Sequence, residues 1–184
     1  VAADLIPIVD TSAGSTKQIS PNQLMQIPAQ VIPYVLSQSA VAVSGAADTA
    51  ENTLATITVP ANAMGLNGTL RITTQWTFTN SANLKTLRVR FNGIGGTIYL
   101  SAAITTQVTY KGQCFIANRN SASSQVGGAI GINVTGQWGQ STNATNTSAA
   151  DTTGSTTVVI TGTKALGTET LTLEWYLVEL LYGA

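Results

Sequence analysis

The sequence predicts an all-β protein: an antiparallel β-sandwich of jelly-roll type preceded by an extended N-terminal anchoring segment. Three observations predict it. Short segments after Gly45 alternate apolar and polar residues with the period of two that a strand requires. Gly- and Asn-containing turn signals separate those segments at short intervals. Before Gly45, Pro7, Pro21, Pro28 and Pro33 are spaced so that no long helix fits between them. The chain of 184 residues suits one domain of ordinary size, so we divide it into a segment at 1–44 and a sandwich at 45–184.

In the N-terminal segment, Leu5, Ile6 and Ile8 point to an extended piece, and the Ser-Thr-Lys run around Lys17 points to a turn. Ser20 followed by Pro21 is an N-cap and first-turn signal for a helix of about two turns reaching Ile27, bearing Leu24, Met25 and Ile27. The body begins with Ala55, Ile57 and Val59 on one face of a strand that Pro60 ends. From Gly68 to Phe78, Leu70, Ile72, Trp76 and Phe78 share one face, and Thr69, Arg71, Thr73, Gln75 and Thr77 share the other. Leu87, Val89 and Phe91 oppose Thr86, Arg88 and Arg90 in the same manner.

Further strands are expected at 97–100, 107–110, 113–117, 130–135, 157–161 and 170–182. Asn67-Gly68, Asn92-Gly93, Gly95-Gly96, Lys111-Gly112, Gly127-Gly128 and Thr161-Gly162 supply the turns. About eight to ten such strands fit a sandwich, with a closed barrel as the alternative.

Two stretches depart from this pattern. From Gly139 to Ser155 there is no large apolar anchor, which predicts a long exposed loop. The last strand places Leu171, Leu173, Trp175, Leu177 and Leu181 on one face, yet Tyr176, Val178, Leu180 and Tyr182 make the other face apolar too. A strand apolar on both faces is buried on both, so the second face needs the N-terminal segment, a loop or a second copy of the chain. Tyr176, Val178 and Leu180 are therefore the candidate oligomer interface. Glu174 and Glu179 punctuate the strand, and Arg71, Arg88 and Arg90 are the basic residues available to pair with them.

Charged residues make up 9% of the chain, against about 25% in an average soluble protein, and eight basic residues balance eight acidic ones. That balance offers nothing to nucleic acid or an anionic membrane. With little charge to keep copies apart, the chain is expected to self-associate. A composition 43% hydrophobic predicts folding over disorder. No apolar run approaches the roughly 18 to 20 residues of a membrane-spanning helix. The lone Cys114 sits in the apolar run GQCFIA and reads as a small buried hydrophobe.

The chain has no histidine, which removes the commonest general base and the commonest metal ligand. Its carboxylates are scattered without DxD or ExxE spacing, so neither a catalytic pair nor a calcium loop is legible, and neither an enzyme nor a cofactor is expected. The glycine-rich run FNGIGGTIYL precedes a strand and lacks the lysine of a phosphate loop. Four N-x-S/T triplets carry little weight in a chain so rich in these residues. Of the three tryptophans, Trp76 and Trp175 occupy inward strand positions. Trp138, at the edge of the polar loop, is the candidate glycan contact.

The segment DLIPIVDTSAGSTKQISPNQL, Asp4 to Leu24, resembles an element near the N-termini of tailed-bacteriophage fibre and virion-surface proteins. The matching positions are Asp4, Leu5, Ile6, Pro7, Ile8, Val9, Asp10, Gly14, Thr16, Lys17, Ile19, Ser20 and Leu24, about a tenth of the chain. ENTLATITVPANAMGLNGTLRIT and KTLRVRFNG are similar to the β-sandwich domains of phage fibres and head-decoration proteins. The resemblance implies a structural virion protein, a capsid decoration, head fibre or tail fibre. It would be anchored to capsid or tail proteins through Leu5, Ile6, Pro7, Ile8 and Leu24, and the sandwich would form a homotrimer. If the protein is the receptor-binding tip of a tail fibre, a host-surface glycan is a further partner. A secreted lectin-like sandwich using Trp138 is the alternative function.

Overall fold

The computed structural model describes residues 6–10, 15–19, 33–130 and 145–183. Two compact units divide the chain, residues 1–32 and residues 33–184. In the first, β1 (Ile6–Asp10) and β2 (Ser15–Ile19) pair antiparallel, with Ile6 opposite Ile19, Ile8 opposite Lys17 and Asp10 opposite Ser15. Lys17 thus lies within a strand and not in the expected turn. Leu5, Leu24 and the expected Pro21–Ile27 helix lie outside the described residues.

The second unit is all β. Its strands are β3 (Tyr34–Ser39), β4 (Val43–Ser44), β5 (Asn52–Val59), β6 (Thr69–Phe78), β7 (Lys85–Phe91) and β8 (Thr97–Ile104). They continue with β9 (Thr109–Asn118), β10 (Gln125–Ile130), β11 (Asn146–Ser148), β12 (Thr156–Lys164) and β13 (Leu171–Leu181). One sheet has the order β11-β10-β9-β6-β13-β3, with β4 also on β13; the other has the order β5-β12-β7-β8. Every pairing is antiparallel.

The pairs nest: β7 with β8, β6 with β9, β5 with β12, and β3 with β13. Such nesting is what one long antiparallel ribbon produces when it rolls up across two sheets, and it is the jelly-roll winding. Residues 34–44, expected in the N-terminal segment, form the edge of the larger sheet through β3 and β4.

The core follows from alternation. Leu70, Ile72, Trp76 and Phe78 of β6 and Leu87, Val89 and Phe91 of β7 are buried between the sheets, as their period of two predicts. Each such side chain taken out of water contributes roughly 1.5–3 kcal/mol. In β5 the alternation breaks, because Ile160 faces Ala55 while Thr161 faces Thr53. The extra residue, Leu54, is buried along with Ile57 and Val59, and Ala55 is only partly so.

Three expected turns are strand interiors instead. Lys111-Gly112 lies inside the continuous β9, Gly127-Gly128 inside β10 and Thr161-Gly162 inside β12. These glycines mark close approach and not chain reversal. A Cβ on Gly162 would stand 2.4 Å from a Leu171 methyl, and one on Gly127 would stand 1.9 Å from the Phe115 carbonyl oxygen and 2.8 Å from the Tyr99 ring. Asn92 and Gly93, in contrast, do form the turn between β7 and β8, both with positive φ, 71° and 88°.

The expected loop at 139–155 is also corrected in its described part. Asn146–Ser148 pairs with β10, and Ala150 and Thr152 are buried. The reason is polar: Gln125 accepts hydrogen bonds through Oε1 from Ser148 Oγ and Ala150 N, both at 2.9 Å, and donates from Nε2 to the Ala150 carbonyl at 3.0 Å. A stretch without large apolar residues is thereby held by a buried amide.

Replacing Gly127 with alanine should destabilise the sandwich by about 1–3 kcal/mol, because backbone and an aromatic ring must both move. Chemical denaturation of the variant beside the wild type measures it, and an unchanged midpoint would contradict the close approach.

Candidate assembly surfaces

Strand β13 decides which side chains the larger sheet shows to the outside. Leu173 faces Trp76, but Trp175 faces Gln75, so Glu174 is an extra residue in the strand. A β-bulge of this kind reverses which face each later side chain takes. Leu171 and Leu173 point inward before it; Tyr176, Val178 and Leu180 point inward after it, level with Thr74, Ile72 and Leu70. Val178 is fully buried and Leu180 nearly so, while Tyr176 packs against the core and its hydroxyl lies 3.2 Å from Ser37 Oγ.

The candidate interface residues Tyr176, Val178 and Leu180 therefore line the inside of this sandwich. It is Trp175, Leu177 and Leu181, expected inward, that lie on the outer face, opposite Gln75, Thr73 and Thr69. Glu174 accepts a hydrogen bond from Thr77 Oγ1 at the bulge.

Register extends this outer face across the sheet. Leu177 is level with Gln38, Thr73, Gln113 and Ile130, and Glu179 is level with Val35, Arg71, Phe115 and Gly128. Trp175, Leu177, Leu181 and Phe115 are partly exposed, and Val35 and Ile130 are exposed. At its centre Arg71 donates from Nε and Nη2 to the two oxygens of Glu179, at 2.7 and 2.8 Å. That guanidinium holds the Glu179 carboxyl below its usual range, and the carboxylate raises Arg71. The Lys111 ammonium sits over the Trp175 ring, 5.4 Å from its centroid.

The outer face of the smaller sheet has a different chemistry. Thr53, Thr56 and Thr58 of β5 are exposed there, beside Thr157 and Thr163 of β12 and Thr86 of β7. Glu51 accepts from Arg90 Nε at 3.0 Å, Arg90 Nη2 at 2.9 Å and Thr161 Oγ1 at 2.5 Å, and Arg88 Nη1 lies 3.1 Å from it. Arg88 and Arg90 were among the partners expected for Glu174 and Glu179, and they pair with Glu51 instead. Burial pushes the Glu51 carboxyl up, but the hydrogen bonds from Arg90 and Thr161 and the two guanidinium charges outweigh it and hold the group at about 2.

At one end of the sandwich, Lys85 and Lys164 stand directly opposite each other on β7 and β12, both buried. Lys85 Nζ donates to Ser81 Oγ at 2.7 Å and to the Asn83 carbonyl at 3.0 Å, and it pairs with Glu169 at 3.0 Å. Lys164 Nζ donates to the carbonyls of Ala46, Gly167 and Glu169. Each ammonium thus gathers loop groups that would otherwise be unpaired. The sequence carried a signal for both, since Lys85 is in phase with Leu87 and Val89, and Lys164 with Val158 and Ile160.

Between residues 33 and 183 the carboxylates stand apart. Asp48 accepts from Ala50 N and Asn52, Asp151 from Thr153, Glu169 from Asn83, and the other three as described. Among the described residues no group of His, Cys, Asp and Glu side chains is placed to hold a metal ion. Cys114 is buried, and burial pushes its thiol well above the usual range. Trp138 lies outside the described residues.

No family model matches the chain, and no curated protein matches it. Among solved structures it is similar to infectious bursal disease virus Gx strain, with 12% identity, a TM-score of 0.36, and coverage of 100% of this chain and 38% of that one. It is similar to the infectious bursal disease virus VP2 subviral particle at 14% identity and TM-score 0.36, covering 98% and 38%. The chain thus spans well under half the length of these viral chains. A protein of unknown function from Shewanella oneidensis MR-1 is similar at 9% identity and TM-score 0.33, covering 90% and 96%.

Glu51 has a folded-state pKa of about 2 against an ordinary 4.5, so its contribution to stability is present above about pH 5 and is lost as pH falls toward 2. Glu51→Gln should therefore be less stable than wild type at pH 7, with the gap closing as the pH falls. Denaturation midpoints across that range check it; a gap independent of pH would contradict the ion-pair account.

Proposed function

We propose that this protein is a structural component of a bacteriophage virion surface, with the unit at residues 1–32 as the anchor and the jelly-roll sandwich as the projecting, self-associating body. The observation that carries this reading is one of placement. Every position of the phage-like element, from Asp4 to Leu24, falls within the unit at 1–32, which is distinct from the sandwich. Within that element the apolar run Ile6–Val9 pairs with Thr16–Ile19, so its two halves form one hairpin. A short paired element of this sort can add to a neighbouring sheet through its open edges.

Two properties of the body support the role. Its apolar outer face suits packing among copies, and its near-neutral composition puts no long-range repulsion between them. The anchor would join capsid or tail proteins, and the bodies would gather as a homotrimer. The described carboxylates, each engaged with its own partner, serve stability in this reading and not catalysis.

A chain starting at Pro33 keeps β3, the edge strand paired with β13, whereas a cut at residue 44 would remove it. We expect the chain starting at Pro33 to fold with an unchanged β-rich circular dichroism spectrum, and to be absent from particles purified from cells that make both the particle and this chain. Incorporation equal to that of the full chain would overturn the anchoring role.

A further inference from the structure

We infer that the outer face of the larger sheet, centred on Leu177 and the Arg71–Glu179 pair, is the surface that a second copy of this chain covers. The inference rests on the proposed self-association and assigns it a location. The two outer faces of the sandwich differ in kind. That of the smaller sheet presents threonine hydroxyls and the Arg88–Glu51–Arg90 cluster, groups well solvated as they stand. That of the larger sheet presents Trp175, Leu177, Leu181, Phe115, Val35 and Ile130, which gain from leaving water.

Charge selects the occupant. The two charged groups at the centre of this face satisfy each other through two hydrogen bonds, and Glu179 has a side chain only 12% exposed. The other charges on this face, Lys111 over Trp175 and Glu174 on the Thr77 hydroxyl, are one of each sign, so the face as a whole is neutral. A partner that fits is itself apolar and neutral across its contact surface. This chain, whose charges sum to zero, offers such a surface.

Area agrees with that choice. Five strands, β3, β13, β6, β9 and β10, at about 4.8 Å spacing and roughly seven residues each at ~3.3 Å, give a flat footprint of about 500–600 Å². Side-chain relief brings the accessible area to the order of the ~800 Å² per partner found in stable complexes. The partly exposed Trp175, steadied by Lys111, is the residue type that anchors such contacts.

The test is light scattering after size exclusion on the full chain and three variants. Leu177→Arg places an unpaired charge at the centre of the face; Gln113→Arg does so beside it with less packing change; Thr58→Arg adds the same charge to the exposed threonine face. We expect an oligomeric wild type, association weakened about tenfold or more by Leu177→Arg and Gln113→Arg toward monomer, and an oligomeric Thr58→Arg. If Leu177→Arg fails to fold, Gln113→Arg decides. An oligomer unaffected by either, or weakened equally by Thr58→Arg, overturns this surface while leaving self-association intact. That result also follows if the chain's own residues 1–32 or 131–144 cover the face. A monomeric wild type overturns self-association itself.

Discussion

One extra residue in one strand sets the character of the whole molecule. Strand β13 lies second from the edge of the larger sheet, between β6 and β3, and it is apolar along nearly its full length. A regular strand would send Leu171, Leu173, Trp175 and Leu177 into the core together and leave Val178 and Leu180 outside. The bulge at Glu174 divides them differently, giving the core Leu171, Leu173, Val178 and Leu180 and the outer face Trp175, Leu177 and Leu181. The Arg71–Glu179 pair follows from the same shift, because Glu179 reaches the outer face level with Arg71 only after the phase has changed.

The rest of the sandwich is held by polar networks. Buried polar side chains help close both ends. At one end Lys85 and Lys164 hold the loop carbonyls. At the other, Asn118 donates to the Gly65 carbonyl and Thr152, and accepts from the Gln125 amide, while Gln125 also holds Ala150. Satisfied networks of this kind fix loop positions strongly, because opening one leaves buried polar groups unpaired. The smaller sheet carries its own ion cluster and threonines on its outer side. The outer face of the larger sheet instead groups Trp175, Leu177, Leu181, Phe115, Val35 and Ile130 on one surface.

Much of the fold was legible in the sequence, and the failures share one cause. β6 and β7 alternate strictly, so period two alone placed Leu70, Ile72, Trp76, Leu87, Val89 and Phe91 inside. The jelly-roll winding was legible as a class from many short strands and turns. Misread features depend on what lies across the sheet. Gly112, Gly127 and Gly162 look like turn residues in one dimension and become strand residues only when Tyr110, Phe115 and Leu171 stand beside them. The bulges at Leu54 and Glu174 are properties of pairing and leave no local mark. The ion pair of Glu179 with Arg71 was anticipated, while Glu51 was missed because its approach to Arg88 and Arg90 depends on β12 lying between β5 and β7. Of the candidate site residues, Tyr176, Val178 and Leu180 were identified as a group on one face of β13, and the bulge set which face that was.

The division of β13 into two apolar sets by the Glu174 bulge is most directly tested by covalent footprinting of the full chain at high and low concentration, read residue by residue by mass spectrometry. The account predicts that Trp175, Leu177 and Phe115 label in the dilute chain and are protected on association, while Val178 and Leu180 stay unlabelled in both. Labelling of Val178 and Leu180 in the dilute chain, with Leu177 silent throughout, would contradict it.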